Sequence, residues 1–155
     1  MVNIVFVILH CTWGIIQTLV GAVVFAWNYR NNEHFFYKGV IVTRWSKKAG
    51  FSLGLFIFVL PEPRFYNREK YSFTNEELQE RLMIHEYGHS VQSLIVGPLY
   101  FILIGLPSSV WSFSQKYNEL RKRNNISYFN FFTEKWANYM GQKVTGKESM
   151  GNIDI

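Results

Sequence analysis

Residues 85–89 read His-Glu-Tyr-Gly-His, and this pentapeptide restricts the fold more than any other stretch of the 155-residue chain. An H-E-x-x-H pattern works on a helix, where two imidazoles one turn apart share a face and make half of a zinc site. Glu86 lies between them, placed to take a proton from an attacking water and return it to a leaving group. With four His and ten Glu in the chain, chance supplies such a pattern only ~0.007 times.

The flanks agree with a helix. Thr74-Asn75-Glu76-Glu77 has the form of a capping box, and Leu78, Leu82, Val91 and Ile95 recur among Glu80, Arg81 and Gln92 at the spacing of an amphipathic helix. A helix over 75–96 is expected, with the motif in its middle. A third ligand must come from elsewhere, and composition narrows the choice. The single Asp, Asp154, lies in a polar tail with Gly146 and Gly151 that is expected to fray. Gln92 and Ile95 stand where the extended H-E-x-x-H-x-x-G-x-x-H pattern requires Gly and His. Of the later glutamates, Glu119 is in a charged stretch and Glu148 in the tail. Glu134 sits in the aromatic-rich run Phe129–Met140, which reads as a helix over 128–140 ending at Gly141 and able to bury one face. The alternative for Glu134 is an exposed carboxylate beside Lys135 on a solvated face.

H-E-x-x-H followed 45 positions after His89 by Glu134-Lys135-Trp136-Ala137-Asn138 resembles the gluzincin arrangement. In membrane-bound gluzincins the second motif is typically E-x-x-x-D. The resemblance implies that His85, His89 and Glu134 bind Zn2+, that Glu86 is the general base, and that Asn138 takes the place of the Asp behind a ligand histidine. Asn138 keeps an acceptor oxygen but lacks the charge that raises ligand basicity, which implies softer metal binding. Site-2-type intramembrane proteases take an Asp ligand from a later apolar segment, and no such segment here carries one. The motif with Gln92, Gly97-Pro98-Leu99-Tyr100 and Ile104-Gly105-Leu106-Pro107 is also similar to small bacterial membrane proteins, from about Phe35 to Gly141. That likeness implies an inner-membrane location and says little about substrates.

Composition points to a membrane. Aromatic residues make up 18% of the chain and charged residues only 17%. Ile4–Trp27 has no Asp, Glu, Lys or Arg and is long enough for a transmembrane helix over 4–27; a cleaved signal peptide is its competitor. His10, Thr12 and Gln17 interrupt this run and are expected to pack against other parts of the protein. Arg30, Lys38, Arg44, Lys47 and Lys48 follow it, placing that side, and the zinc site with it, at or near the cytoplasmic face. The net charge of +5 is dispersed and matches no nucleic-acid module. Two β-rich runs, Phe35–Trp45 and Phe51–Val59, flank a polar turn and suggest a β-hairpin over 35–59, stopped by Pro61 and Pro63. Its edge could pair with an extended peptide, or simply cover the core. The apolar segment 98–113 is broken by Gly97-Pro98 and Gly105-Leu106-Pro107, as a re-entrant element requires; a full span with the zinc site sunk in the membrane is the other possibility.

The expected fold is a single-domain, mainly α membrane protein with a β-hairpin, and Cys11, the only cysteine, excludes an intramolecular disulfide. The expected activity is zinc-dependent cleavage of a membrane-associated peptide or protein near the lipid bilayer. A zinc-stabilised, non-catalytic membrane scaffold or sensor is the alternative. It calls for a closed coordination sphere, with His34 or Glu119 as a fourth ligand.

Overall fold

The computed structural model describes residues 4–47, 49–60, 73–151 and 153. Lys48, Pro61, Pro63 and Asp154, which the sequence assigns to a basic flank, to the stop of the second β-rich run and to the tail, lie outside the described residues.

The transmembrane helix expected over 4–27 does not form. The run is divided into α1 (Ile4–Thr12) and α2 (Ile15–Asn28), bent by 96° at Trp13-Gly14. Among the described residues no single helix is long and apolar enough to cross a membrane. Polar side chains buried at the corner account for the bend. Thr18 Oγ1 donates to the His10 carbonyl at 3.0 Å, a carbonyl left over where the helix breaks. Gln17 Nε2 donates to the carbonyls of Ser93 and Gly97 at 3.1 and 3.2 Å. His10 and Gln17 are fully buried, and the Trp13 indole lies so close over Gly97 that no side chain fits there.

The β-hairpin over 35–59 is also replaced, by a four-stranded mixed sheet in the order β1-β2-β4-β3. Each β-rich run folds on itself: β1 (Glu33–Tyr37) and β2 (Val40–Arg44) are antiparallel, as are β3 (Phe51–Leu53) and β4 (Phe56–Val59). Positive φ at Lys38 (44°), Gly39 (96°) and Gly54 (61°) makes the two tight turns, a conformation glycine adopts freely. The stretch between the runs is therefore a crossover, and β2 meets β4 in parallel, Ile41 opposite Phe56 and Arg44 opposite Val59. One sheet face, Val40, Val42, Ile57 and Val59, buries against Phe6 of α1 and against Met83, Ile84 and Tyr87 of the next helix.

That helix, α3 (Asn75–Val96), has the limits its capping box announces: Thr74 Oγ1 accepts from Glu77 N, and the Glu77 carboxylate accepts from Thr74 N. Gly97, at φ 55°, ends it. The chain then passes through a 3-10 turn (Gly97–Leu99) and a π-helical turn (Phe101–Gly105) into α4 (Leu106–Phe113), the apolar segment leaving α3 at 119°. Polar α5 (Gln115–Asn124) follows. A 3-10 turn at Tyr128–Asn130 leads into α6 (Phe132–Thr145), which runs past Gly141 to a left-handed cap at Gly146. The described residues beyond it do not fray as expected. Met150 and Ile153 are buried with Leu60, Leu78, Leu82 and Phe129 in a second core cluster, and apolar burial of this kind contributes roughly 1.5–3 kcal/mol per side chain.

Candidate metal centre

Helices α3 and α6 cross at glycines. A Cβ on Gly88 would overlap the Ala137 carbonyl, and one on Gly141 would overlap the carbonyl of Ile84. The two backbones therefore touch directly, and side chains one turn from the crossing are forced together. His85, His89 and Glu134, all buried, offer ligand atoms within 4.8 Å of one another, a group that can hold a metal ion. Glu134 Oε2 stands 3.1 Å from His85 Nε2 and 3.3 Å from His89 Nε2. Ligands 2.0–2.1 Å from a tetrahedral ion stand about 3.3 Å apart, and both histidine-to-Glu134 spacings are of that order.

Hydrogen bonds behind the ligands decide which ring nitrogen faces the centre. Asn138 Nδ2 donates to the Gly151 carbonyl at 3.3 Å, which turns Oδ1 toward His85 Nδ1 at 2.9 Å. Gln92 Nε2 donates to the Thr133 carbonyl at 2.8 Å, turning Oε1 toward His89 Nδ1 at 2.7 Å. In each ring Nδ1 is thus the N–H donor and Nε2 presents a lone pair. Two imidazole lone pairs and a carboxylate oxygen converge on one point, and only a positive charge, a proton or a metal ion, reconciles them. The other Glu134 oxygen accepts from Thr133 Oγ1 at 3.1 Å, and Thr133 Oγ1 accepts from Ser108 Oγ at 2.8 Å.

A proton on His89 takes the place of the cation in the metal-free protein. Burial alone would lower His89, but the charge and hydrogen bond of Glu134 outweigh it and push His89 up to about 9. Burial alone would raise Glu134, yet the two histidines hold it well below the usual carboxylate range. A folded value raised above 6.5 stabilises the metal-free fold fully below pH 6.5, and this contribution is lost as pH rises through about 9. A metal must displace that proton. Apparent zinc affinity is therefore expected to rise about tenfold per pH unit from pH 7 toward 9 and then to level off. Competition titrations with a chromophoric chelator check this, and a flat profile would contradict it.

Glu86 is 4% exposed, its Oε2 has no hydrogen-bond partner among the described residues, and burial raises its pKa above the ordinary value. Oε1 lies against Gly50, where a Cβ would come within 2.9 Å of it. An unpartnered buried carboxylate beside a ligand cluster is a proton acceptor awaiting a donor.

The structure brings His85, Glu86, His89, Glu134 and Asn138 to one place. The two fourth-ligand candidates are elsewhere: His34 bonds Thr43 and the Tyr29 carbonyl, and Glu119 pairs with Gln115 and Arg123 on α5. Among the described residues the cluster has three His, Cys, Asp or Glu members. His10 bonds Ser90 Oγ at 3.2 Å, as a packing residue. Sequence reasoning missed the part played by Gln92, although its spacing three residues after His89 on one helix face was the available signal. It also missed Tyr128, whose hydroxyl is pushed well above its ordinary value by burial and by the Glu134 charge, and Ser149, whose hydroxyl bonds Asn138 Oδ1. The chain matches no protein-family profile, no curated protein and no solved structure.

Proposed function

We propose that the protein is a zinc-dependent peptide hydrolase acting on substrates held at a lipid surface. The observation that carries the hydrolase is the convergence of three cation-seeking lone pairs beside Glu86 Oε2, which has no hydrogen-bond partner among the described residues. Zinc bound there supplies Lewis-acid polarisation of the scissile carbonyl and acidifies water. His85, His89 and Glu134 hold the ion, and Glu86 accepts the proton of the attacking water and delivers it to the departing amine. Water adds to the carbonyl carbon, the C–N bond breaks, and a carboxylate and an amine leave. Strand β3 ends the sheet next to Glu86. The carbonyls of Ala49 and Ser52 are already bonded by the Trp45 indole and the Tyr100 hydroxyl, so Gly50 is the backbone rung on which an extended peptide would align its carbonyl. A metal that only ties helices together needs a fourth protein ligand, and the cluster of three among the described residues weighs against it.

The lipid surface is supported by two stretches, 4–29 and 90–115, that contain no Asp, Glu, Lys or Arg and meet where Trp13 covers Gly97. Their exposed side chains include Val23 (66%), Trp27 (87%), Ile102 (64%) and Phe113 (72%). Protein interfaces intersperse such groups with hydrogen-bonding and charged ones, whereas Arg30 and Lys116 flank these stretches as headgroup contacts would.

One experiment tests both parts. A degenerate peptide library is offered to the zinc-loaded protein free in solution and lipid-anchored on anionic vesicles, with products read by mass spectrometry. Chelation is expected to abolish cleavage and zinc to restore it; Glu134→Ala loses both zinc and cleavage. Anchored peptides are cut on the order of tenfold faster through their higher local concentration. No cleavage of any peptide by the loaded protein would remove the hydrolase, and equal rates for the two pools would remove the lipid surface.

A further inference from the structure

The residues after α6 return across the back of the metal centre as a strap. Gly146 caps the helix, and Lys147 and Glu148 pair with Glu80 and Arg81 of α3. Arg81 Nη1 also donates to the Ser149 carbonyl at 3.0 Å. Ser149 and Met150 are each 1% exposed. From this position two strap groups reach Asn138: the Ser149 hydroxyl bonds Oδ1, and the Gly151 carbonyl accepts from Nδ2.

An asparagine amide can face a histidine with either end, and only one end is useful. With the oxygen toward His85 Nδ1, the ring donates from Nδ1 and presents Nε2 as a lone pair. With the NH2 group there, Nδ1 must accept, Nε2 carries the proton, and the ligand is lost. A carbonyl cannot donate, so Gly151 can be satisfied only by Nδ2, and the amide is locked in the useful sense. We propose that the strap is a positioning device for the metal centre, with Ser149 and the Gly151 carbonyl fixing the Asn138 amide and, through it, the ring nitrogen that His85 offers. An aspartate at this position would have two acceptor oxygens and need no such lock; the neutral amide explains why the tail is bound so closely. The inference rests on the metal centre and not on the hydrolysis.

The test is zinc affinity by chelator competition, together with the visible spectrum of the cobalt-substituted protein, in the full chain and its variants. Ser149→Ala is expected to weaken zinc on the order of tenfold and to alter the cobalt bands. Arg81→Gln, which loosens the strap from outside the site, shifts both in the same direction. Val40→Ala, which removes packing from the sheet core and no contact of the strap, lowers thermal stability and leaves the cobalt bands unchanged. In an Asn138→Asp background the Ser149→Ala loss shrinks to about twofold or less. Wild-type affinity in both Ser149→Ala and Arg81→Gln would overturn the proposal, as would a Val40→Ala protein with the same altered spectrum or a Ser149→Ala effect undiminished in the Asn138→Asp background. A wild-type chain that binds neither zinc nor cobalt would overturn the metal centre itself. Binding without peptide cleavage would count against the hydrolase alone.

Discussion

A Gly88→Ala protein is expected to lose the metal centre although the substitution adds only one methyl group. Alanine is the better helix former by about 1 kcal/mol, so a helix with room at this position would gain. There is no room: the new Cβ would overlap the Ala137 carbonyl. That backbone cannot swing aside as a side chain does, so α3 and α6 must separate. Overpacking costs typically about 1–3 kcal/mol, and a clash with backbone falls at the upper end of that range or above it, which exceeds the propensity gain. Separation also moves Glu134 away from both histidines. We expect a drop in melting temperature on the order of 10 °C and zinc affinity weaker by about 100-fold, measured by calorimetry and chelator competition. Gly141→Ala, which would overlap the carbonyl of Ile84 at the same crossing, should behave alike. A Gly88→Ala protein that binds zinc normally would mean that the helices do not touch where the structure has them.

Glu86→Gln separates binding from chemistry. Glu86 lies outside the three-ligand cluster, and glutamine has nearly its shape, so zinc content per chain is expected to stay at the wild-type level. Glutamine cannot take a proton from water. General-base assistance contributes about 10²–10⁴-fold, and kcat for the proposed peptide cleavage should fall by about 10³, roughly 4 kcal/mol in the barrier. Losing the buried charge should also raise the melting temperature slightly, since burial disfavours that charge. A Glu86→Gln protein that cleaves at the wild-type rate would dismiss Glu86 as the base and leave the metal cluster intact.

The centre was more legible in the sequence than the fold around it, for a physical reason. Helical spacing and capping are local, so Thr74, Glu77, His85 and His89 could be placed on α3 from their order alone, and Glu134 emerged because so few acidic residues compete with it. What failed depended on contacts between distant residues. Trp13-Gly14 is unremarkable within an apolar run, and only the bonds from Gln17 to Ser93 and Gly97 make a corner there and replace the expected span. The parallel pairing of β2 with β4 likewise has no local signature. Lys38-Gly39 and Gly54 did offer one, since a glycine inside a β-rich run marks a tight turn as readily as a strand residue. The tail misled because Gly146 and Gly151 suggest mobility, whereas Met150 and Ile153 anchor it.

The strap also has a bearing on biosynthesis. Its residues are translated some 60 positions after His89, and Glu134 itself comes 45 positions after that histidine. At about 5–20 residues per second on the ribosome, the histidines leave ~2–9 s ahead of Glu134 and ~3–12 s ahead of the strap that locks their environment. During that interval α3 can coil but cannot chelate firmly. Firm binding of an ion is therefore open to the chain only late in synthesis, and a product terminated ahead of Phe132 would carry the signature pentapeptide without the third member of the cluster.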